Sequence, residues 1–170
     1  MDKFPYFCSR TPYNNYHMEN NLIFLKLKPF IRQWLVHHFG DPVKFDAQSV
    51  LNAKIISVLT RGERDIECEG DTAVVIPYSK QKEPPSWCHV SQAGKKFIID
   101  HIESIFLLNL WNEMSAMCSE DSKIQSAAYA WCEMHGIDID YADIIRMRYY
   151  REKIKMLRKG IDLRAKKRNK

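Results

Sequence analysis

Residues 91–117, SQAGKKFIIDHIESIFLLNLWNEMSAM, carry the longest apolar periodicity in the chain. Ser91 is suited to cap a helix, because its hydroxyl can accept from a free backbone N–H of the first turn. Phe97, Ile98, His101, Ile102, Ile105, Leu108 and Trp111 then recur at helical spacing, and Met114 continues the row. The stretch predicts a helix over about 91–117 that serves as the spine of the core.

Reading outward towards the N-terminus, the signals are mixed. Asn21–Leu27 (NLIFLKL) reads as a strand. Pro29 opens a helical stretch with Phe30, Trp34, Leu35 and His38 on one side and Gly40 as its stop. Pro42–Phe45 is a brief extended piece. Asp46 or Ser49 caps a second helix, with Val50, Leu51, Ile55, Val58 and Leu59 at helical spacing up to Gly62. Asp65–Glu69 and Thr72–Tyr78 are rich in β-formers and bracket Gly70-Asp71, which predicts a hairpin. The polar SKQKEPPSW that follows is a loop or flap. Towards the C-terminus, Ser119 or Ser122 caps a helix to about His135, with Ile124, Ala128, Trp131 and Cys132 inward. Gly136 stands where a left-handed C-cap is wanted. Asp138 or Asp140 caps a last helix, about 140–160, closed by Gly160. The expected fold is α+β: helices packed on a small antiparallel sheet, with a C-terminal helix-turn-helix-like pair and a basic tail. The expected divisions are an N-terminal arm over 1–20, a body over 21–118, the helical pair over 119–160 and the tail over 161–170.

Charge is the strongest functional signal. The 170 residues have a net charge of +5, from 26 Lys and Arg against 21 Asp and Glu. Residues 146–170 hold twelve of the basic residues and only two acidic ones, Glu152 and Asp162. That leaves 14 basic and 19 acidic residues over 1–145, so an acidic body carries an end of about +10. Such asymmetry points to a polyanion. Reading duplex DNA requires long donors on a helix that can enter a groove, with cations on the flanking phosphates. Arg146, Arg148 and Arg151 are the candidates for base or groove contact, with Tyr149 among the donors. Lys153, Lys155, Arg158, Lys159 and the run Lys166-Lys167-Arg168 are candidates for phosphate contact. The helix–Gly–helix departs from the usual motif in having Cys132 where a small residue stands four positions before the turn. An ordinary αα-hairpin closing the core explains the same pattern.

A second pattern runs along the same helix. Met147, Tyr150, Ile154, Leu157 and Ile161 fall at spacings of 3, 4, 3 and 4 and form an apolar seam. It needs a cover, either the protein's own body or a second copy, which would make a homodimer.

Catalytic signals are absent from the sequence. There is no phosphate-binding GxxxxGK[ST], GxGxxG, GxSxG or HExxH. Cys68, Cys88 and His89 lack the CxxC or HxxxH pairing of a structural zinc site. Asp138, Asp140 and Asp143 answer a helix N-terminus better than a nuclease metal. The expectation is a protein with no enzymatic activity, no cofactor and no small-molecule substrate. Five cysteines without regular spacing suit a reducing cytoplasm, and no apolar run is long enough for a membrane span or a signal peptide. An RNA reading would use Tyr149, Tyr150 and Trp87 as stacking platforms.

Two resemblances bear on this. Residues 123–153, KIQSAAYAWCEMHGIDIDYADIIRMRYYREK, resemble the C-terminal region of the middle-operon-type transcription activators of transposable phages. From LKLKPFIRQWLVHHFGDPVKF (25–45) onward the chain is similar to small proteins encoded on phages and conjugative elements of gut bacteria. The resemblance implies a DNA-binding regulator or accessory protein of a mobile element and assigns no individual residue. The rival expectation is a structural subunit whose basic end meets nucleic acid or an acidic partner without sequence preference.

Overall fold

A computed structural model describes residues 21–62, 70–83, 86–118 and 124–161. Among them are two strands, β1 (Leu22–Leu25) and β2 (Thr72–Val75), and five helices: α1 (Pro29–Phe39), α2 (Val50–Val58), α3 (Gln92–Met117), α4 (Ile124–Met134) and α5 (Ala142–Arg158). The architecture is α+β, as expected. The N-terminal arm, the tail beyond Ile161, the proposed caps Ser119 and Ser122, and Cys68 lie outside the described residues.

Of the expected hairpin, one flank forms a strand. Thr72–Val75 pairs antiparallel with β1, in the register Ile23↔Val74 and Leu25↔Thr72, while the other flank, Asp65–Glu69, lies outside the described residues. This register puts Ile23, Leu25, Thr72 and Val74 together on the buried face, so the pairing follows matched buried faces rather than proximity in sequence. Val43 adds a parallel bridge on the other edge of β2, with Val75 N–H donating to Val43 O at 2.9 Å. Gly70 is needed beside β1, because a Cβ there would stand 2.5 Å from the Leu25 carbonyl carbon.

The spine helix forms with Ser91 as its cap, Ser91 Oγ accepting from Gly94 N–H at 3.2 Å. Its inner face differs from the expected one. Ile98, Ile102, Phe106, Leu110, Trp111 and Met114 are buried, whereas Leu108 is 51% exposed and Phe97, His101 and Ile105 are half-buried. Phe106 is the hub: its ring lies 5.7 Å from Phe30, 5.5 Å from Trp34 and 5.6 Å from Trp131, the last two edge-on. Thus α1 and α4 both pack on the middle of α3.

The other caps follow their residues. Ser49 Oγ accepts from Asn52 N–H to start α2. At the far end of α2, the Lys82 ammonium donates to Ile56 O at 2.7 Å and Leu59 O at 2.8 Å, satisfying carbonyls that the last turn leaves open. In α4 all four expected residues, Ile124, Ala128, Trp131 and Cys132, are buried, and burial pushes the Cys132 thiol pKa up to about 11. Gly136 has φ +63°, the left-handed conformation that stops the helix. Asp138 then caps a short 3-10 turn, Ile139–Tyr141, that leads into α5. A single core cluster runs from Ile23 to Tyr149. Among the described residues no helix is long and apolar enough to cross a membrane.

Candidate nucleic-acid interface

Successive residues of a helix point about 100° apart, so α5 presents three distinct faces. The inner face is Ala142, Ile145, Tyr149 and Lys153, all buried. One flank carries Met147, Tyr150, Ile154, Leu157 and Ile161. The outer face carries Arg151, Lys155 and Arg158, with Arg148 and Lys159 beside them. Aromatic contacts fix how the helix runs. Tyr141, at its start, lies 5.8 Å from Phe30, which in turn packs on Phe106 of α3. Further on, Tyr149 stacks on Trp111 with centroids 5.6 Å apart, and its hydroxyl meets Ser115 Oγ at 3.3 Å. Thus α5 runs alongside α3 in the same sense, and α3 stops at Met117, two positions after Ser115. Beyond Tyr149, Lys153 is still buried and Met156 packs partly on the core, while Arg151, Ile154, Lys155, Leu157 and Arg158 are exposed.

Two expected contact residues are therefore corrected. Tyr149 is fully buried, since its ring is a core side chain against Trp111, and it reaches neither DNA nor an RNA base. Lys153 is 7% exposed on the inner face of α5 and so is not among its surface cations. Of the two covers expected for the seam, the body supplies one only for Tyr150, which packs partly on the core, while Met147, Ile154, Leu157 and Ile161 are exposed. The other expected stacking residue, Trp87, already has Arg61 and Lys82 over its ring, at 5.2 and 4.9 Å.

The remaining cations divide by position. Arg146 pairs at 3.2 Å with Asp143 one turn back on the same helix, and Arg148 lies 4.9 Å above the Phe30 ring of α1. Lys155 pairs with Glu152 at 3.2 Å on the surface, a weak pair that competes poorly with other anions. Arg151, Arg158 and Lys159 are exposed and make no ion pair among the described residues. Lys166, Lys167 and Arg168 lie outside the described residues. The start of α5 is acidic instead: Asp138, Asp140 and Asp143 are exposed there, with Asp138 spent on capping and Asp143 on Arg146. Among the described residues no three His, Cys, Asp or Glu gather as metal ligands. The link between α4 and α5, residues 135–141, is longer than the three or four residues of a usual helix-turn-helix turn.

Sequence reading missed the role of α1 as the seat of this turn. Gln33 Oε1 accepts from Asp138 N–H at 3.0 Å, Phe30 receives Arg148, and His38 meets His135 at 2.8 Å. The one signal in the sequence was that α1 and α4 both end on histidines before a glycine, His37-His38 ahead of Gly40 and His135 ahead of Gly136.

Compared with protein-family models, curated proteins and solved structures, the chain matches none. The fold is α+β, and its last helix carries exposed cations on its outer face.

Proposed function

We propose that this chain is a non-enzymatic DNA-binding regulator or accessory protein of a phage or mobile element, contacting the phosphate backbone through the second half of α5 and the basic residues beyond it. The observation that carries the reading is the outer face of α5 and its C-terminal end, where Arg151, Lys155, Arg158 and Lys159 are exposed. A charged helix end of this kind is suited to sequence-independent phosphate contact, which dominates affinity and makes it salt-dependent. The acidic start of α5 is unsuited to such a role, so contact is assigned to the C-terminal half of the helix. Arg151 is the best-placed side chain for reaching a groove.

Titrating random duplex DNA with the full chain across a salt series tests this. Replacing Arg151, Lys155, Arg158 and Lys159 by Gln is expected to lower the slope of log K against log salt by up to about 3.6, at about 0.9 for each phosphate no longer neutralised. An unchanged slope overturns the assignment. A second reading, an assembly subunit, draws on the exposed Met147, Ile154, Leu157 and Ile161 beside those cations. The readings separate on specificity, since a regulator prefers one duplex by orders of magnitude, about 10³ or more, and a packing protein does not.

A further inference from the structure

Three titratable side chains from three helices form a single hydrogen-bonded chain where the α4–α5 turn meets the body. Glu113 of α3 lies 2.6 Å from His135 Nε2, and His135 Nδ1 lies 2.8 Å from His38 Nε2 on α1. His135 is buried, while His38 is exposed. The Trp131 indole N–H donates to the same Glu113 oxygen at 2.8 Å, and its ring lies 4.3 Å from that of His135, so the carboxylate and the imidazole are both held in place.

The proton positions follow from the donors present. A carboxylate only accepts, so His135 Nε2 bears the hydrogen. Neutral His135 then has only a lone pair at Nδ1, so His38 Nε2 must donate to it. The basic end of the chain is therefore Nδ1 of exposed His38. The titratable groups facing His38 are His37 on its own helix, His135 at the end of α4 and Glu113 of α3.

We propose that Glu113, His135 and His38 form a proton-operated latch that fastens the α4–α5 turn to α1 at neutral pH and opens when both imidazoles are charged. One added proton enters at His38 Nδ1 and leaves every bond of the chain intact, because His38 Nε2–H still donates and Glu113 balances the charge. A second proton puts hydrogens on both nitrogens of the 2.8 Å contact, and two imidazolium donors then repel. Burial, His135 and His37 all oppose charge on His38 and hold its pKa below the ordinary histidine value, against the pull of Glu113. The other fastenings of the turn, Gln33 to Asp138 N–H and Phe30 to Arg148, do not titrate in this range. Acid therefore loosens the turn locally without detaching the helical pair. This inference stands independently of the nucleic-acid reading.

Histidine ¹⁵N NMR of the full chain from about pH 4.5 to 8 reads the latch directly. At neutral pH both His38 and His135 are expected as Nε2–H tautomers, and the His135 signals are expected to move with the titration of His38. Glu113→Gln should shift the coupled titration to lower pH, and His37→Gln should shift it to higher pH. Amide protection at residues 135–138, corrected for intrinsic exchange, should fall in acid for the wild type. It should stay level in His38→Gln, an exposed replacement whose amide donates without titrating. An isolated His38 titration that leaves His135 unmoved overturns the latch, as does an equal loss of protection in His38→Gln.

Discussion

Phe106 and Leu108 sit two positions apart in α3, and the structure gives them opposite fates. Phe106 is fully buried and touches Phe30, Trp34 and Trp131, whereas Leu108 is half exposed and belongs to no core contact. Truncating a buried Phe to Ala removes the transfer energy of the ring and leaves a cavity, about 3–5 kcal/mol in general. Three aromatic partners at 5.5–5.7 Å add a geometric contribution of about 0.5–1.5 kcal/mol per pair beyond area, which places Phe106→Ala at the upper end of that range. Against a total stability of about 5–15 kcal/mol, such a variant is close to unfolded at room temperature. Phe106→Leu keeps most of the volume and is the measurable form of the test. It loses the ring contacts and is expected to cost about 1–3 kcal/mol, read from the urea midpoint at constant slope. Leu108→Ala is expected to shift the midpoint by no more than about 0.5 kcal/mol. If Leu108→Ala costs as much as Phe106→Leu, the phase assigned to α3 is wrong, and with it the packing of α1 and α4.

Two further outcomes are expected. Gly136→Ala should cost about 1–2 kcal/mol from the left-handed backbone at φ +63°. The new methyl also meets His37, whose Nδ1 lies 2.6 Å from the Cβ position at residue 136, which adds to that strain. Gly40→Ala, at φ +79° and ψ −179° with nothing within 4 Å of a Cβ, should cost about 1–3 kcal/mol from backbone strain alone, because that region is essentially glycine's own, and urea denaturation reads both variants. The pH dependence of stability has a definite sign. His38 binds its proton less readily in the folded chain than in the unfolded one, so stability falls as pH drops below about 6.5 towards the folded pKa. Wild type should lose stability relative to His38→Gln as pH falls across that window, read from the denaturation midpoints, and a wild type that gains on the variant in acid contradicts the shift.

Capped and punctuated elements were legible in the sequence. Ser91, Ser49, Pro29, Gly40 and Gly136 all stand where their chemistry places them, and the inner row of α4 is as read because only one of its faces is apolar. The phase of α3 was not legible, because Ile99, Ile105, Leu107 and Leu108 make it apolar on several sides, and periodicity then fits more than one row. The pairing of β2 with β1 was not legible, because strand pairing is decided by which apolar faces match across the fold, and β1 lies far upstream. The histidine–glutamate chain joins three helices, so no local spacing announces it.

The exposed seam of α5 has a geometric cause. Burying Met147, Ile154, Leu157 and Ile161 would require turning the helix by roughly one residue, about 100°. That rotation would pull Tyr149 off Trp111 and away from Ser115, and would lift Ala142 and Ile145 out of the core. Near the start of α5 the body is on hand to receive those residues, so the first half sets the rotation. Beyond Tyr149 the same rotation is kept, with Lys153 buried and Met156 packed partly on the core. The seam and the cations are thus two outward surfaces of one helix whose inner face is fixed from its start. If the cations meet phosphate, binding weakens steeply as salt rises, because each neutralised phosphate releases a counterion. If the seam meets another protein face, association persists in salt, because burial of apolar area is strengthened rather than screened by excluded salts such as sulfate.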